Sequence, residues 1–176
     1  MAHKGAQRIR NVAIVGHRGS GKTSLNEALL FEAGAIPRLG SVSDGSTVSD
    51  SEPDEAEREM SISASLSSFE HDERKINLSD TPGEPSFVAD AITSLRVSDS
   101  AVFVVNSVMG VEVTTDRLWK RADQLGLARL VFVNMLDRER ADFFRTLESL
   151  KGRSARTSSR PRYRSDSSTR RAASWT

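Results

Sequence analysis

Residues 16–23 read Gly16-His17-Arg18-Gly19-Ser20-Gly21-Lys22-Thr23 and fit the phosphate-binding pattern G-x-x-x-x-G-K-[ST]. An apolar run, Val12-Ala13-Ile14-Val15, precedes them, and a helix-like stretch from Ser24 to Ala33 follows. That strand-loop-helix context gives the pattern a mechanism. The glycines let the loop curl until successive backbone N–H groups face a phosphate chain, and the helix N-terminus adds its dipole. Lys22 supplies a point charge near the outer phosphates, and the Thr23 hydroxyl suits Mg²⁺. A plain glycine-rich strand-to-helix turn with an exposed lysine is the competing reading, and the flanking elements weigh against it.

Bulk properties narrow the class. A chain of 176 residues can bury a core of its own. It has no cysteine, which excludes a disulfide framework and thiolate metal sites. No apolar run approaches the ~20 residues of a membrane span, and no apolar signal-peptide segment follows the basic N-terminus. These features predict a cytoplasmic protein with no membrane association. The charge is divided unevenly: residues 1–150 carry 17 Lys and Arg against 23 Asp and Glu, whereas residues 151–176 carry eight basic residues and only Asp166.

The first 150 residues alternate strand-like and helix-like signals, which predicts an α/β domain with a mostly parallel sheet and helices on both faces. Expected strands are Asn11–Val15, Met60–Phe69, Lys75–Ser79, Ala101–Ser107 and Leu130–Val133. The polar turn Glu70-His71-Asp72-Glu73 makes the second and third an antiparallel hairpin. Expected helices are Ser24–Ala33, Phe87–Arg96, Thr114–Leu125 and Arg140–Leu150, and their apolar stripes read as core. Between Ala35 and Glu59 runs a polar, aperiodic segment. Following a phosphate loop, it suits a switch that orders around a γ-phosphate and Mg²⁺, and a surface insertion is the alternative.

Three more sites stand where a nucleotide-binding domain needs them. Asp80-Thr81-Pro82-Gly83 closes the third strand. An Asp there can hold a metal-bound water, and Gly83 lets its N–H come close to a γ-phosphate. Asn134-Met135-Leu136-Asp137 follows the fifth strand, where the Asp137 carboxylate can accept from the N1–H and N2 amino group of guanine, a donor pair adenine lacks. Ser61 offers a hydroxyl that can complete a magnesium shell. Each is weak alone, as a turn or a strand terminus.

Taken in order, Gly16–Thr23, Glu57–Ile62, Asp80–Gly83, Ser94–Asp99, Gly110–Glu112 and Phe132–Arg138 resemble the GTP-binding domain of elongation factor G. The likeness covers residues 8–150. It implies a P-loop GTPase fold, GTP/GDP and Mg²⁺ as ligands, and the ribosome as partner. By that resemblance Gly16, His17, Arg18, Gly19, Ser20, Gly21, Lys22 and Thr23 hold phosphates together with Asp80 and Gly83. Thr23 and Ser61 hold the metal, and Asn134 and Asp137 define the base pocket. A P-loop ATPase or kinase would share the first motif but leave Asn134 and Asp137 without a role.

Several positions depart from the family pattern. Glu84 stands where the family has a His that positions the attacking water. A carboxylate there repels a γ-phosphate or acts as a base, so the resemblance predicts compromised hydrolysis. Ser61 replaces a Thr, Glu59-Met60 replaces Gly-Ile, and Met135 replaces a Lys, which predicts weaker nucleotide affinity. The family domain continues past residue 150 with a further base-contacting loop, a strand and a helix, so the fold is expected to be incomplete at its C-terminal end. Residues 152–176 contain no Ile, Leu, Val, Met or Phe, and we expect 151–176 to be a basic, disordered tail. Such Arg/Ser-rich sequence is what a GC-rich gene yields when read out of frame, and a basic arm for RNA is the functional alternative. A poorly folded fragment with residual phosphate binding is the second reading of the whole chain.

Overall fold

The computed structural model describes residues 5–49, 54–55 and 60–157. Among them, β1 (Ile9–Val15) leads through the phosphate loop into α1 (Lys22–Glu32). The chain continues through β2 (Ser65–His71), β3 (Arg74–Asp80), α2 (Val88–Val97) and β4 (Ser100–Asn106). It closes with α3 (Val113–Gln124), β5 (Ala128–Asn134) and α4 (Phe143–Thr157). The five strands form one sheet in the order β2-β3-β1-β4-β5. Only the β2–β3 pair is antiparallel. The mostly parallel α/β sheet with one hairpin is therefore as expected.

Alternation along β1 divides the core in two. Ala13 and Val15 face α2 and α3, packing with Ala91, Leu95, Phe103, Leu118 and Ala122. Val12 and Ile14 face α1 and pack with Leu25, Leu29, Leu78 and Val104. Strands covered on both faces must be apolar throughout, and Phe103-Val104-Val105 is fully buried. Phe103 alone removes a large aromatic surface from water, worth roughly 1.5–3 kcal/mol. It meets Trp119 edge-on, with ring centroids 4.8 Å apart. Across that ring Arg129 stacks at 4.6 Å while pairing with Asp123 at 2.7 Å.

Most expected boundaries shift by one or two residues, and three regions show larger or more telling changes. The second strand begins at Ser65 rather than Met60. The backbone N–H groups of Ile62 and Ser63 donate to the buried Glu55 carboxylate at 2.8 and 3.1 Å, so they are not free for a sheet ladder. The hairpin turn shrinks to Asp72-Glu73, both at positive φ, and Glu70 and His71 join the strand. The last helix starts at Phe143 and runs to Thr157, past Leu150. Asp142 accepts the Arg145 N–H at 2.9 Å and so caps its first turn. The first seven residues of the expected tail thus continue this helix, and residues 158–176 lie outside the described set.

The strand order places β1 centrally, with β3 on one side and β4 on the other. The connection leaving β1 runs towards the β2–β3 side and the one leaving β4 runs towards β5, which opens a crevice at the carboxyl ends of these central strands. The loops after β1, β3 and β5 all emerge at that end.

Candidate functional site

At the end of β1, Gly16 and His17 are buried while Arg18 and Gly19 are exposed. A Cβ on Gly16 would collide with the Val104 carbonyl oxygen of β4. Gly21 caps α1 in the left-handed region, at φ 89° and ψ 30°. A side chain there would also push on the Asn134 amide, a group able to move, so it is the left-handed backbone that calls for glycine. The Asn134 amide in turn donates to the Ser20 carbonyl at 2.9 Å, tying the loop after β5 to the phosphate loop. Lys22 is nearly buried at 6 % exposure, and its ammonium donates to the His17 carbonyl at 2.9 Å.

The β3 loop closes the other side. Asp80, Thr81, Pro82 and Gly83 are all buried, and Thr81 donates to the Ile14 carbonyl at 2.8 Å. A Cβ on Gly83 would lie 2.5 Å from Lys22 Nζ and 2.6 Å from the Arg18 nitrogen. Backbone from two separate strands thus converges on one ammonium. Ser61 arrives from the third direction, its hydroxyl 3.3 Å from that of Thr23. Together they surround a pocket of about 210 Å³ lined by Arg18, Gly19, Gly21, Lys22, Thr23, Ser61, Gly83, Glu84 and Met135 among others.

These residues fit a phosphate chain with a hard cation. The buried ammonium and the glycine-lined cradle suit oxyanions, and two hydroxyls within contact of each other suit an oxygen-ligated metal. Met135, at φ 60°, puts its aliphatic side chain on the pocket wall. Asp137 is exposed and is not among the residues lining this pocket.

Family comparison agrees with this construction. The family profile described as "Elongation factor Tu GTP binding domain" matches residues 7–166. The chain belongs to that GTP-binding domain family. It is 40% identical over 145 residues to "Ribosome-releasing factor 2, mitochondrial" of Candida dubliniensis, covering 82% of this chain and 18% of that protein. It is 38% identical over 148 residues to "Elongation factor G 2" of Syntrophus aciditrophicus, covering 84% and 22%. A crystal structure of a protein from Thermus thermophilus superposes with a TM-score of 0.79 at 38% identity, over 82% of this chain and 22% of that one. The chain thus spans about a fifth of the length of these relatives. The P-loop GTPase fold and the elongation factor G likeness of the sequence are therefore established.

Sequence reasoning missed how this GTP-binding domain holds its own loops. Asn26 and Glu27 in α1 are fully buried. Asn26 donates to Ser49 at 2.7 Å and accepts from Ser67 of β2 at 3.1 Å. Glu27 accepts the Gly40 N–H at 3.3 Å and also the Val48 N–H. The polar segment after α1 is therefore fastened to that helix over residues 40–49, while 50–53 and 56–59 lie outside the described residues. Helical spacing from Thr23 through Glu27 to Leu30 was the available signal, since it sets a buried acid on the same face as the Thr23 hydroxyl.

The His17 side chain also does more than the sequence suggests. Its ring is 1 % exposed, with Nδ1 3.4 Å from the Thr115 hydroxyl at the start of α3. Burial lowers its pKa below the ordinary 6.5, with Glu112 opposing and Lys22 assisting. The neutral ring is thus a spacer between the phosphate loop and α3. Among the described residues, no helix is long and apolar enough to cross a membrane.

Proposed function

We propose that the chain binds GTP and GDP with Mg²⁺ in the pocket between the phosphate loop and the Asp80–Gly83 loop, as the nucleotide-binding module of an elongation factor G-like protein. The observation that carries this reading is the convergence of Gly83, Lys22 and the Thr23–Ser61 hydroxyl pair on one small polar cavity. Gly16, Gly19, Ser20 and Gly21 would direct amides at the phosphates, with Lys22 neutralising the outer ones. Thr23 and Ser61 would hold Mg²⁺, with Asp80 acting through water. Asn134 would frame the base, and Asp137 would turn inward to accept from guanine. The metal supplies charge neutralisation between the outer phosphates.

Hydrolysis is slow in this reading, because Glu84 brings a carboxylate to the rim where the family places a histidine. The relatives' printed names, a mitochondrial ribosome-releasing factor and a bacterial elongation factor, support the ribosome as partner; the bacterial relative supports the cytoplasm as the setting. Residues 158–176, rich in Arg and Ser, serve as a basic tail in this account, whether out of frame or able to reach RNA phosphates.

The metal assignment is tested by titrating labelled GTP with and without Mg²⁺ against the native chain, T23A and S61A. We expect Mg²⁺ to tighten binding to the native chain at least tenfold and to do much less for either variant. An equal gain in all three overturns the assignment of Thr23 and Ser61.

A further inference from the structure

We propose that Arg18 and Glu84 form a charge latch on the rim of the phosphate pocket that makes this chain favour a nucleoside diphosphate over the triphosphate. The proposal rests on the guanine-nucleotide reading above and adds to it a choice between the two ligands. Arg18 Nη1 lies 3.5 Å from Glu84 Oε2, joining the tip of the phosphate loop to the residue that follows Gly83. Both residues line the pocket. The Arg18 side chain is 61% exposed, whereas that of Glu84 is only 28% exposed. The carboxylate is therefore the more sheltered member of the pair.

Placement, more than the strength of the pair, gives the latch its effect. A single long contact between partly exposed groups adds little stability, so the latch opens readily. Gly83, however, is pressed against the Lys22 ammonium and the Arg18 backbone. A third phosphate must approach that ammonium and the Gly83 N–H, which brings it beside Glu84. There it meets one anion and competes with it for one guanidinium. If Arg18 turns to the phosphate, Glu84 is left without its counter-charge; if Arg18 stays, the phosphate faces the carboxylate. A diphosphate ends before this conflict arises and leaves the pair intact. Like charges held close at a partly desolvated rim repel far more than in bulk water.

The sequence marks Glu84 as a carboxylate near a γ-phosphate but gives no sign of its partner. Arg18 occupies a free position of the phosphate pattern, so only their juxtaposition across two loops reveals the pair. Glu84 here acts on the ligand's charge and takes no part in bond making.

The test measures the affinities of labelled GDP and GTP, with Mg²⁺, for the whole native chain, E84Q, R18A and the R18A/E84Q double variant. Gln keeps the shape of Glu84 and removes its charge. We expect E84Q to raise the GTP-to-GDP affinity ratio roughly tenfold, R18A to lower it, and E84Q to reverse that loss in the R18A background. A ratio that is the same in all four chains, or an E84Q chain that loses GTP as much as or more than GDP, overturns the latch while leaving the nucleotide site standing. A native chain that holds neither nucleotide overturns the guanine-nucleotide reading itself, and the latch with it.

Discussion

His17 shows how a residue inside a ligand loop can carry a structural load. Its imidazole is walled off between β1 and the start of α3, and burial disfavours its charged form. The folded chain therefore takes up a proton on His17 less readily than the unfolded chain does. The stability this residue contributes is whole above pH 6.5 and declines as pH falls through that value towards the lowered pKa. H17N removes the titration while keeping a polar group beside Thr115. We expect the melting temperature of the native chain to drop more steeply than that of H17N between about pH 7 and pH 5. Parallel curves would mean that His17 titrates alike in both states. The sequence marked residue 17 only as a link in the phosphate loop, because nothing local foretells that α3, nearly a hundred residues later, closes over its ring.

Helix α1 joins the phosphate loop to the segment that follows it. Thr23 faces Ser61, and one turn further along the same helix Asn26 and Glu27 hold Ser49, Gly40 and Val48. A buried carboxylate that accepts two backbone N–H groups is costly to remove, since both donors are then left without that acceptor, at about 1–3 kcal/mol each when they stay buried. For E27A we expect faster amide exchange at Gly40 and Val48 and a less stable chain, with the β1–β3–β4 core amides changed only in proportion to the global loss. Unchanged protection at residues 40–48 would show that α1 does not anchor this segment. The elements themselves were legible in the sequence. Continuous apolar strands, a glycine-punctuated first loop and the polar hairpin turn fix the order of β1 to β5, because burial on both faces and turn chemistry are local signals. The boundaries that moved furthest did so through side-chain acceptors that periodicity does not register: Glu55 drawing Ile62 and Ser63 out of the strand, and Asp142 capping the start of α4.

In the whole molecule, the strand order brings three loops that are distant in sequence to one end of the sheet. Gly16–Thr23, Ser61 and Asp80–Gly83 meet there. Asn134 joins them through Ser20, while Asp137 lies on an exposed loop just after the left-handed Met135. Beyond that loop, Leu130 and Phe132 of β5 are exposed on the α1 side of the sheet, and β5 is an edge strand among the described residues. The base side of the site is thus the part least defined by this chain's own packing, and the phosphate side the best. The most direct measurement is a titration of the native chain and K22A with labelled GTP and ATP in Mg²⁺. The account predicts that GTP binds at least tenfold more tightly than ATP, and that K22A, deprived of its buried ammonium, loses GTP by tenfold or more. Equal affinity for the two nucleotides, or GTP binding that survives K22A undiminished, would contradict it.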